Sequence, residues 1–562
     1  MQASNTNKFQ RRVGLLQSGA AHCLSATLIG ATILLLALSF RGGIDRAHDT
    51  TIVRGGLFFN AVCAILSTEK HGTGRYVCAA TAHRNMEAIG LGYEEATLVR
   101  LGKGLEELGR ETAFLNDALK KVFQAAPPAE DGGVTAIGWA MDAGYMDFVD
   151  LAFRIFGPKV ESLYLTFFLF LAASTALACI QFHDRFLVLF SLLSFQYVLF
   201  FFLHETDAWE IYSFTNPRFL SILAVIPLLH ALFLILYQVR LSGGAILLFL
   251  PQAALMAAAG DFRATAYWTV IALMVLCVLL VGAARWRQGW SYHRAVALCW
   301  PALPVFLCIA AAAAFVDTTT DPRLVEIGGM KGHAFWQSNY YNLQVHPDWK
   351  KKYFDQHAGA TGDETVWVAV KAYRKRNHLE SEPLTQVSYE KQTRAVFFEF
   401  IRNDPGYFIE LKYLNAATIV EVVRAFLSQV WASLPWPFLI LAACTAFGLA
   451  TRVRTRAESL STLTWCTVTV VGLVAIVAAP TWVTVVTIYA IADTGLVAAT
   501  AAFCAALWLA VSLTVLVTNS AALKARLKAS HWVNRSMARV LPLAWGWLAD
   551  PQSRRAPVDR GS

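Results

Sequence analysis

Charge is scarce in this chain. Lys, Arg, Asp and Glu make up only 15% of its 562 residues, whereas soluble globular proteins carry about a quarter. Hydrophobic residues make up 56%, and they gather in runs of the roughly 20 residues that a membrane-spanning helix needs. The composition therefore excludes an ordinary soluble protein and predicts an all-α polytopic membrane protein in contact with lipid.

Several motifs that mark common sites are also missing. The sequence has no CxxC and no HExxH pattern, so we expect no zinc site and no cofactor, and nothing supports a divalent metal. Basic residues are not interleaved with aromatic ones, so nucleic acid is not expected as a partner despite the formal net charge of +9. The main polar residues within the apolar runs are His230 and Gln196. Because ion-coupled transporters carry charges near the membrane midplane, this pattern argues against that class.

About ten apolar runs are present, and they predict ten transmembrane helices. They lie at about 19–40, 162–182, 186–204, 219–239, 243–260, 265–284, 295–315, 432–451, 461–479 and 494–518. Basic residues precede the first run, fill the loops after the sixth and the eighth, and follow the tenth. Since Lys and Arg accumulate in cytoplasmic loops, ten spans place all these segments and both termini in the cytoplasm, with the chain in the inner (cytoplasmic) membrane.

The spans divide the chain into seven parts. These are a cytoplasmic N-terminus (1–18), a first transmembrane helix (19–40), a first external segment (41–161), a six-helix bundle (162–315), a second external segment (316–431), a three-helix bundle (432–518) and a basic cytoplasmic tail (519–562). The first span is expected to be a retained anchor, because no clear cleavage site follows it. Both external segments are predicted to be mostly helical, since neither shows sustained period-two alternation.

Two of the ten cysteines, Cys63 and Cys78, fall in the first external segment. An oxidising compartment allows such a pair to form a disulfide. The alternative is two unrelated thiols in a packed core.

The first external segment returns to the membrane through residues 138–157. A helical stripe is predicted to pack on the bundle, formed by Tyr145, Phe148, Ala152 and Ile155, and Tyr145 is also a candidate substrate-binding residue. Asp147 and Asp150 are expected to pair with Arg154 on another face. Asp142 stands at the predicted helix start, where an aspartate serves as an N-cap or, at the membrane mouth, as a general base.

Other polar residues lie where spans meet the outer surface. Arg218, in the stretch that contains Asn216, suits bidentate capture of a phosphate. Its alternative partners are the nearby acids Glu205, Asp207 and Glu210, or a lipid headgroup. Asp493 stands at the outer end of the last span, where it either caps the helix or lines an outer cavity.

The second external segment contains aromatic, amide and imidazole side chains close together, including His333, Trp336 and Tyr340. This mixture suits sugar recognition, and the alternative is the core of a small helical domain. Asp404 and Pro405 predict an N-cap with Pro at the first helical position. The residues from Tyr407 to Phe426 are predicted to form a helix along the membrane surface.

Together these features resemble the GT-C glycosyltransferases, polytopic enzymes that use lipid-linked sugar donors. The resemblance is architectural: a single first span, a long external loop that carries acids, a bundle and a late external domain. Residues 142–157, which lead into the second span, are similar to the family's juxtamembrane helix. Residues 403–412 (NDPGYFIELK) are similar to the Pro-Gly surface helix before a late span in bacterial members.

The resemblance implies that an external carboxylate deprotonates a hydroxyl of a glycan or glycolipid acceptor, whose oxygen attacks a polyprenyl-phosphate sugar. We take Asp142 as this base. Asp45 and Asp49 lie nearer the usual family position, although the adjacent acidic pair that many members carry there is absent. Two other classes stay open: a lipid or glycan carrier without ion coupling, and a non-enzymatic envelope-assembly protein.

Overall fold

A computed structural model describes ten stretches of the chain. They are residues 22–44, 55–88, 108–125, 133–136, 144–205, 217–288, 296–297, 299–331, 334–343 and 363–452. The predicted spans at 461–479 and 494–518 lie outside these residues, as do the N-terminus and the basic tail.

The described chain is mostly helical. In chain order its elements are α1 (His22–Ile44), α2 (Gly55–His71), β1 (Val77–Ala79), α3 (Ala80–Ala88), α4 (Leu108–Gln124), β2 (Val134–Ala136), α5 (Gly144–Phe156), α6 (Glu161–Gln181), α7 (Phe186–Glu205), a 3₁₀ helix (Pro217–Ala224), α8 (Val225–Leu236), α9 (Gly243–Phe262), a 3₁₀ turn (Ala264–Ala266), α10 (Tyr267–Gln288), α11 (Ala302–Thr319), α12 (Pro322–Glu326), α13 (Phe335–Leu343), α14 (Asp363–Arg376), α15 (Gln386–Asn403), α16 (Pro405–Ala432) and α17 (Trp436–Arg452).

Four described helices are long and apolar enough to cross a membrane, namely α1, α6, α9 and α11. The other predicted spans within the described residues form shorter apolar helices, over Phe186–Phe201, Leu220–Ile235, Thr269–Leu279 and Trp436–Thr445. Large apolar side chains remain exposed on these helices, among them Leu34, Leu247 and Leu307. Such surface is costly in water and needs an apolar surrounding. The predicted class is confirmed at the level of a mostly helical chain with four helices long and apolar enough to cross a membrane, and the ten spans and their orientation stay predictions.

Helix α9 lies at the centre of the bundle, in contact with α5, α6, α8, α10 and α11. It begins at an N-cap, Ser242, whose hydroxyl accepts a hydrogen bond from the amide of Ala245 at 3.3 Å. It also contains Pro251, which cannot donate the usual backbone hydrogen bond. Its C-terminal end contacts the start of α5, where Gly144 packs on the backbone of Asp261.

The first external segment combines helices with a two-stranded antiparallel sheet, in which Cys78 of β1 pairs with Thr135 of β2. The described part of this segment is mostly helical, as predicted, but the two short strands were not expected. All three residues of β1 are buried. The strand therefore shows no alternation of apolar and polar residues in the sequence. A disulfide joins Cys63 on α2 to Cys78 on β1, with their Cα atoms 5.5 Å apart, as one of the two alternatives predicted.

Helix α5 packs much as its sequence indicates. Tyr145, Phe148 and Ala152 are fully buried, but Ile155 is 47% exposed, so the predicted stripe ends one turn early. The helix itself ends at Phe156 and Gly157 follows with a positive φ of 87°. The chain turns there into α6, and in the last turn of α5 Phe153 is still buried in the core while Ile155 points away from it.

The second external segment forms a small helical subdomain of α13 to α16. Asp404 caps α16 as predicted, since its carboxylate accepts a hydrogen bond from the amide of Tyr407 at 3.2 Å. The predicted surface helix, Tyr407 to Phe426, is part of one 28-residue helix. That helix ends beside α7, where the hydroxyl of Tyr197 donates to the carbonyl of Ser433 at 2.8 Å.

Candidate functional site

The most polar junction of the described structure is built around Arg75. Both Arg75 and the next residue, Tyr76, reach the carboxylate of Asp147 on α5. Arg75 forms an ion pair with it, and the Tyr76 hydroxyl donates to it at 3.1 Å. Consecutive residues of an extended strand point to opposite faces. Here Tyr76 adopts a positive φ of 73°, and this turn brings the two side chains to one carboxylate.

The loop that contains Gly74 and Arg75 also contacts the C-terminal end of α11. The amide of Arg75 donates to the carbonyl of Thr319 at 3.2 Å, and the guanidinium lies 4.6 Å from the ring centroid of Phe315. The amide of Gly74 donates to the carboxylate of Asp321 at 2.7 Å. A Cβ at Gly74 would lie 2.7 Å from the Cα of Asp321, so the close approach requires glycine.

Asp321 is a strongly held carboxylate. It caps α12 by accepting from the amide of Arg323 at 2.9 Å, and it pairs with the Arg323 guanidinium at 2.8 Å. Hydrogen bonds from the Arg323 side chain, with further help from the backbone amides of Arg323 and Gly74, lower the pKa of Asp321 to about 2. It therefore stays ionised and acts as an anchor rather than as a proton acceptor.

The C-terminal end of α9 completes the junction. Gly144, the first residue of α5, packs so closely on the backbone of Asp261 that a Cβ would overlap that carbonyl group. Burial raises the pKa of Tyr76 well above its usual value, and the negative charge of Asp261 raises it further. Tyr76 therefore remains a hydrogen-bond donor. We call Arg75, Tyr76, Asp147, Asp261 and Asp321 the Arg75 cluster.

Most predicted site residues lie outside the described part of the chain: Asp45, Asp49, Asp142, Asn216, His333 and Asp493. Arg218 lies in the 3₁₀ helix Pro217–Ala224, of which only the backbone is described at that position. These assignments stay predictions.

Three predicted site residues are described. Tyr145 is fully buried and stacks on Phe148 with ring centroids 6.5 Å apart, which is a packing environment. Tyr340 packs against both apolar clusters of the helical subdomain, and burial raises its pKa to about 12. Trp336 is only partly buried and lies 5.1 Å from Phe398, centroid to centroid. The Trp336 ring also lies 5.4 Å from that of Phe397, centroid to centroid, so it is packed on the subdomain as well as partly exposed.

The predicted pairing on α5 is half right. Asp150 pairs with Arg154 at 2.9 Å, as predicted. Asp147 instead pairs with Arg75, which is 72 positions away in the chain. Neither Arg75 nor Tyr76 belongs to a recognisable sequence motif. Asp321 was detectable, because Asp followed by Pro322 is an N-cap with proline at the first helical position.

The polar residues within the apolar runs, His230 and Gln196, take part in buried hydrogen bonds between helices. Gln252 on α9 donates to the Ser174 carbonyl at 2.7 Å and lies 3.3 Å from the Nδ1 atom of His230. Gln196 on α7 donates to Thr175, the neighbour of Ser174, at 3.1 Å. The Nε2 atom of His230 and the Oε1 atom of Gln196 have no hydrogen-bond partner among the described residues. The network links α6, α7, α8 and α9 through uncharged groups.

No group of three or more His, Cys, Asp or Glu side chains suited to a metal occurs in the described ranges. In comparisons with known proteins, the chain matches no family model, no curated protein and no solved structure.

Proposed function

We propose that this chain is a membrane glycosyltransferase of the GT-C type, which moves a sugar from a polyprenyl-phosphate donor to a glycan or glycolipid of the cell envelope. The observation that carries the proposal is the Arg75 cluster. It gathers three acidic residues and one arginine where the first external segment meets the ends of the apolar helices α9 and α11. A site that joins a membrane-bound donor to a water-soluble hydroxyl needs this location.

The disulfide supports the proposed side of the membrane. Disulfides persist in oxidising compartments and are rare in the cytosol, and Cys78 lies two residues from Tyr76 of the cluster. Helices α9 and α11 both have their C-terminal ends at the cluster, which agrees with odd-numbered fifth and seventh spans running outward. We therefore propose ten spans in the inner membrane, with both termini cytoplasmic and both external segments outside.

In the proposed reaction, Asp142 takes the proton of the acceptor hydroxyl. The freed oxygen forms a bond to the anomeric carbon, the bond from that carbon to the phosphate oxygen breaks, and polyprenyl phosphate leaves with the electron pair. Arg218, with Asn216, holds the departing phosphate. In the chain, Asp142 precedes Gly144, the residue of α5 that contacts Asp261, by two positions.

The remaining predicted site residues have roles on the acceptor side. Trp336, with Tyr340 and His333, is proposed to form the sugar-recognition surface, and Asp493 to line the outer cavity. Asp45 and Asp49 are the alternative bases. The cluster itself, through Arg75 and Asp147, positions the start of α5 and hence Asp142.

The test is product formation by purified protein in nanodiscs, with a panel of radiolabelled polyprenyl-phosphate sugars. Asn caps a helix nearly as well as Asp but cannot accept the proton. Asp142→Asn should therefore lower the rate on the order of 10²–10⁴-fold with unchanged thermal stability. Asp117→Asn, on the exposed face of α4, is the matched control and should keep the wild-type rate.

Two results would contradict the proposal. Wild-type turnover by the Asp142→Asn protein would transfer the role of base to Asp45 or Asp49. Labelled donor lipid that crosses the membrane without any sugar transfer would instead identify a carrier.

A further inference from the structure

A line of exposed side chains runs along one face of α15. Its members occur at helical spacings of four, three, four and four residues, which places them on one face over about 22 Å. We call them the basic stripe: Val387, Lys391, Arg394, Phe398 and Arg402, all exposed. The opposite face of α15 is buried, with Tyr389 packed on Val366 and Val370 of α14.

The three cations of the stripe are not neutralised within the described part of the chain. Lys391, Arg394 and Arg402 have no carboxylate partner there. The two acids of α15 are engaged elsewhere. Glu390 accepts from the amide of Trp336 at 2.6 Å, and Glu399 pairs with Arg376 at 3.0 Å. The stripe therefore presents a net positive charge that a partner with negative charge complements.

Aromatic rings lie beside these cations. The guanidinium carbon of Arg394 is 5.5 Å from the ring centroid of Trp336 and 5.8 Å from that of Phe398. Phe398 is 42% exposed, and Phe335 at the start of α13 is 49% exposed. Exposed aromatic side chains next to Lys and Arg are typical of surfaces that rest in the headgroup region of a bilayer.

The chain itself keeps this surface near a membrane. The helical subdomain follows α11, which is a candidate membrane span, and continues through α16 to the contact of Ser433 with Tyr197 on α7. A surface tethered at both ends to membrane helices meets the bilayer at high effective concentration. A free macromolecule has no such advantage.

We propose that the basic stripe of α15 docks on the surface of the bilayer, with the phosphates of anionic phospholipids on Lys391, Arg394 and Arg402. Phe335 and Phe398 enter the headgroup region beside them. The contact holds the helical subdomain against the membrane. This inference does not depend on the proposed enzymatic activity.

The experiment places a photo-crosslinking amino acid at Val387 of the full chain, in nanodiscs of phosphatidylcholine with or without phosphatidylglycerol. Mass spectrometry of residues 386–403 identifies the adduct. Phospholipid adducts should dominate when phosphatidylglycerol is present and should fall in phosphatidylcholine alone. The same crosslinker at Lys375, exposed on α14, should give few.

A charge variant tests the cause of docking. Lys391→Gln, Arg394→Gln and Arg402→Gln together should weaken the docking equilibrium on the order of a hundredfold and remove the preference for phosphatidylglycerol. Lys371→Gln with Lys375→Gln, two exposed cations of α14, is the control and should leave lipid adducts at position 387 unchanged. An unchanged thermal transition shows that the triple variant is folded.

Several outcomes would overturn the proposal. Lipid adducts at Val387 no more frequent than at Lys375 would show that the stripe faces water. Retention of the adducts in the folded triple variant would show that charge plays no part. Glycan or protein adducts at Val387 in native membranes, in place of phospholipid, would assign the stripe to a different partner.

Discussion

Arg75 and Asp147 form an ion pair between the loop after α2 and helix α5, 72 residues apart in the chain. Both side chains are largely buried, at 22% and 15% exposure. A charge in such surroundings is costly once its partner is removed. The pair therefore fixes the position of α5, and with it the entry of the first external segment into the bundle.

Asp147→Asn should lower the free energy of unfolding by about 1–3 kcal/mol, because it leaves the Arg75 guanidinium without its counter-charge. Thermal unfolding of detergent-purified protein measures the change. Asp117→Asn removes an exposed pair with Lys121 and should cost less than about 1 kcal/mol. Equal effects of the two substitutions would show that the buried pair contributes no more to the free energy of unfolding than the exposed pair. Arg75→Met combined with Asp147→Leu should cost less than the two single changes added together.

Asp321 predicts a loss of stability in acid. Its pKa falls from an ordinary 3.8 to about 2 on folding, so the folded state favours the ionised form. The contribution, roughly 2 kcal/mol, is fully present above about pH 4 and is lost as the pH falls towards 2. Asp321→Asn should flatten the pH dependence of unfolding in this window, followed by intrinsic fluorescence. An identical acid transition in the variant would show that other carboxylates cause it.

The disulfide between Cys63 and Cys78 closes a loop with a sequence separation of 15 residues. A cross-link of this length stabilises a folded chain by about 3 kcal/mol. The double variant Cys63→Ser and Cys78→Ser should therefore have a lower melting temperature than the wild-type protein. Non-reducing peptide mapping of the mature protein should recover the two cysteines in one linked peptide. Two free thiols in that experiment would be incompatible with the pairing.

Topology is tested by reporter fusions at positions 100 and 360. Both positions should report from the non-cytoplasmic side, because the basic loops are expected to stay in the cytoplasm. Fusions in the loop around Arg287 should report from the cytoplasm and serve as the control. With the N-terminus in the cytoplasm, a cytoplasmic signal at position 100 or 360 would require an even number of spans before that point and would contradict the proposed topology.

The helical membrane class was predictable because it depends on composition and run length alone. An apolar run of about 20 residues has few alternatives to a helix in lipid, since every backbone group must be hydrogen-bonded within the segment. The capping of α16 by Asp404 and the pairing of Asp150 with Arg154 were predictable for a similar reason. Each involves residues within four positions of each other, where helix geometry sets the distance.

The contacts between distant segments were decided by the tertiary structure. Arg154 lies two turns from Asp147 on the same face of α5, yet Asp147 pairs with Arg75. The backbone of Tyr76 and the close packing of Gly144 on Asp261 bring the two segments together. The short strands β1 and β2 are stabilised by pairing with each other, although Cys78 and Thr135 are 57 positions apart in the chain. A strand of three residues is too short to show an alternating hydrophobic pattern in the sequence. The sequence by itself thus determined which segments are helical and apolar. Which charges meet at the Arg75 cluster was decided only by folding, since pairing energies depend on burial and distance that local patterns do not contain.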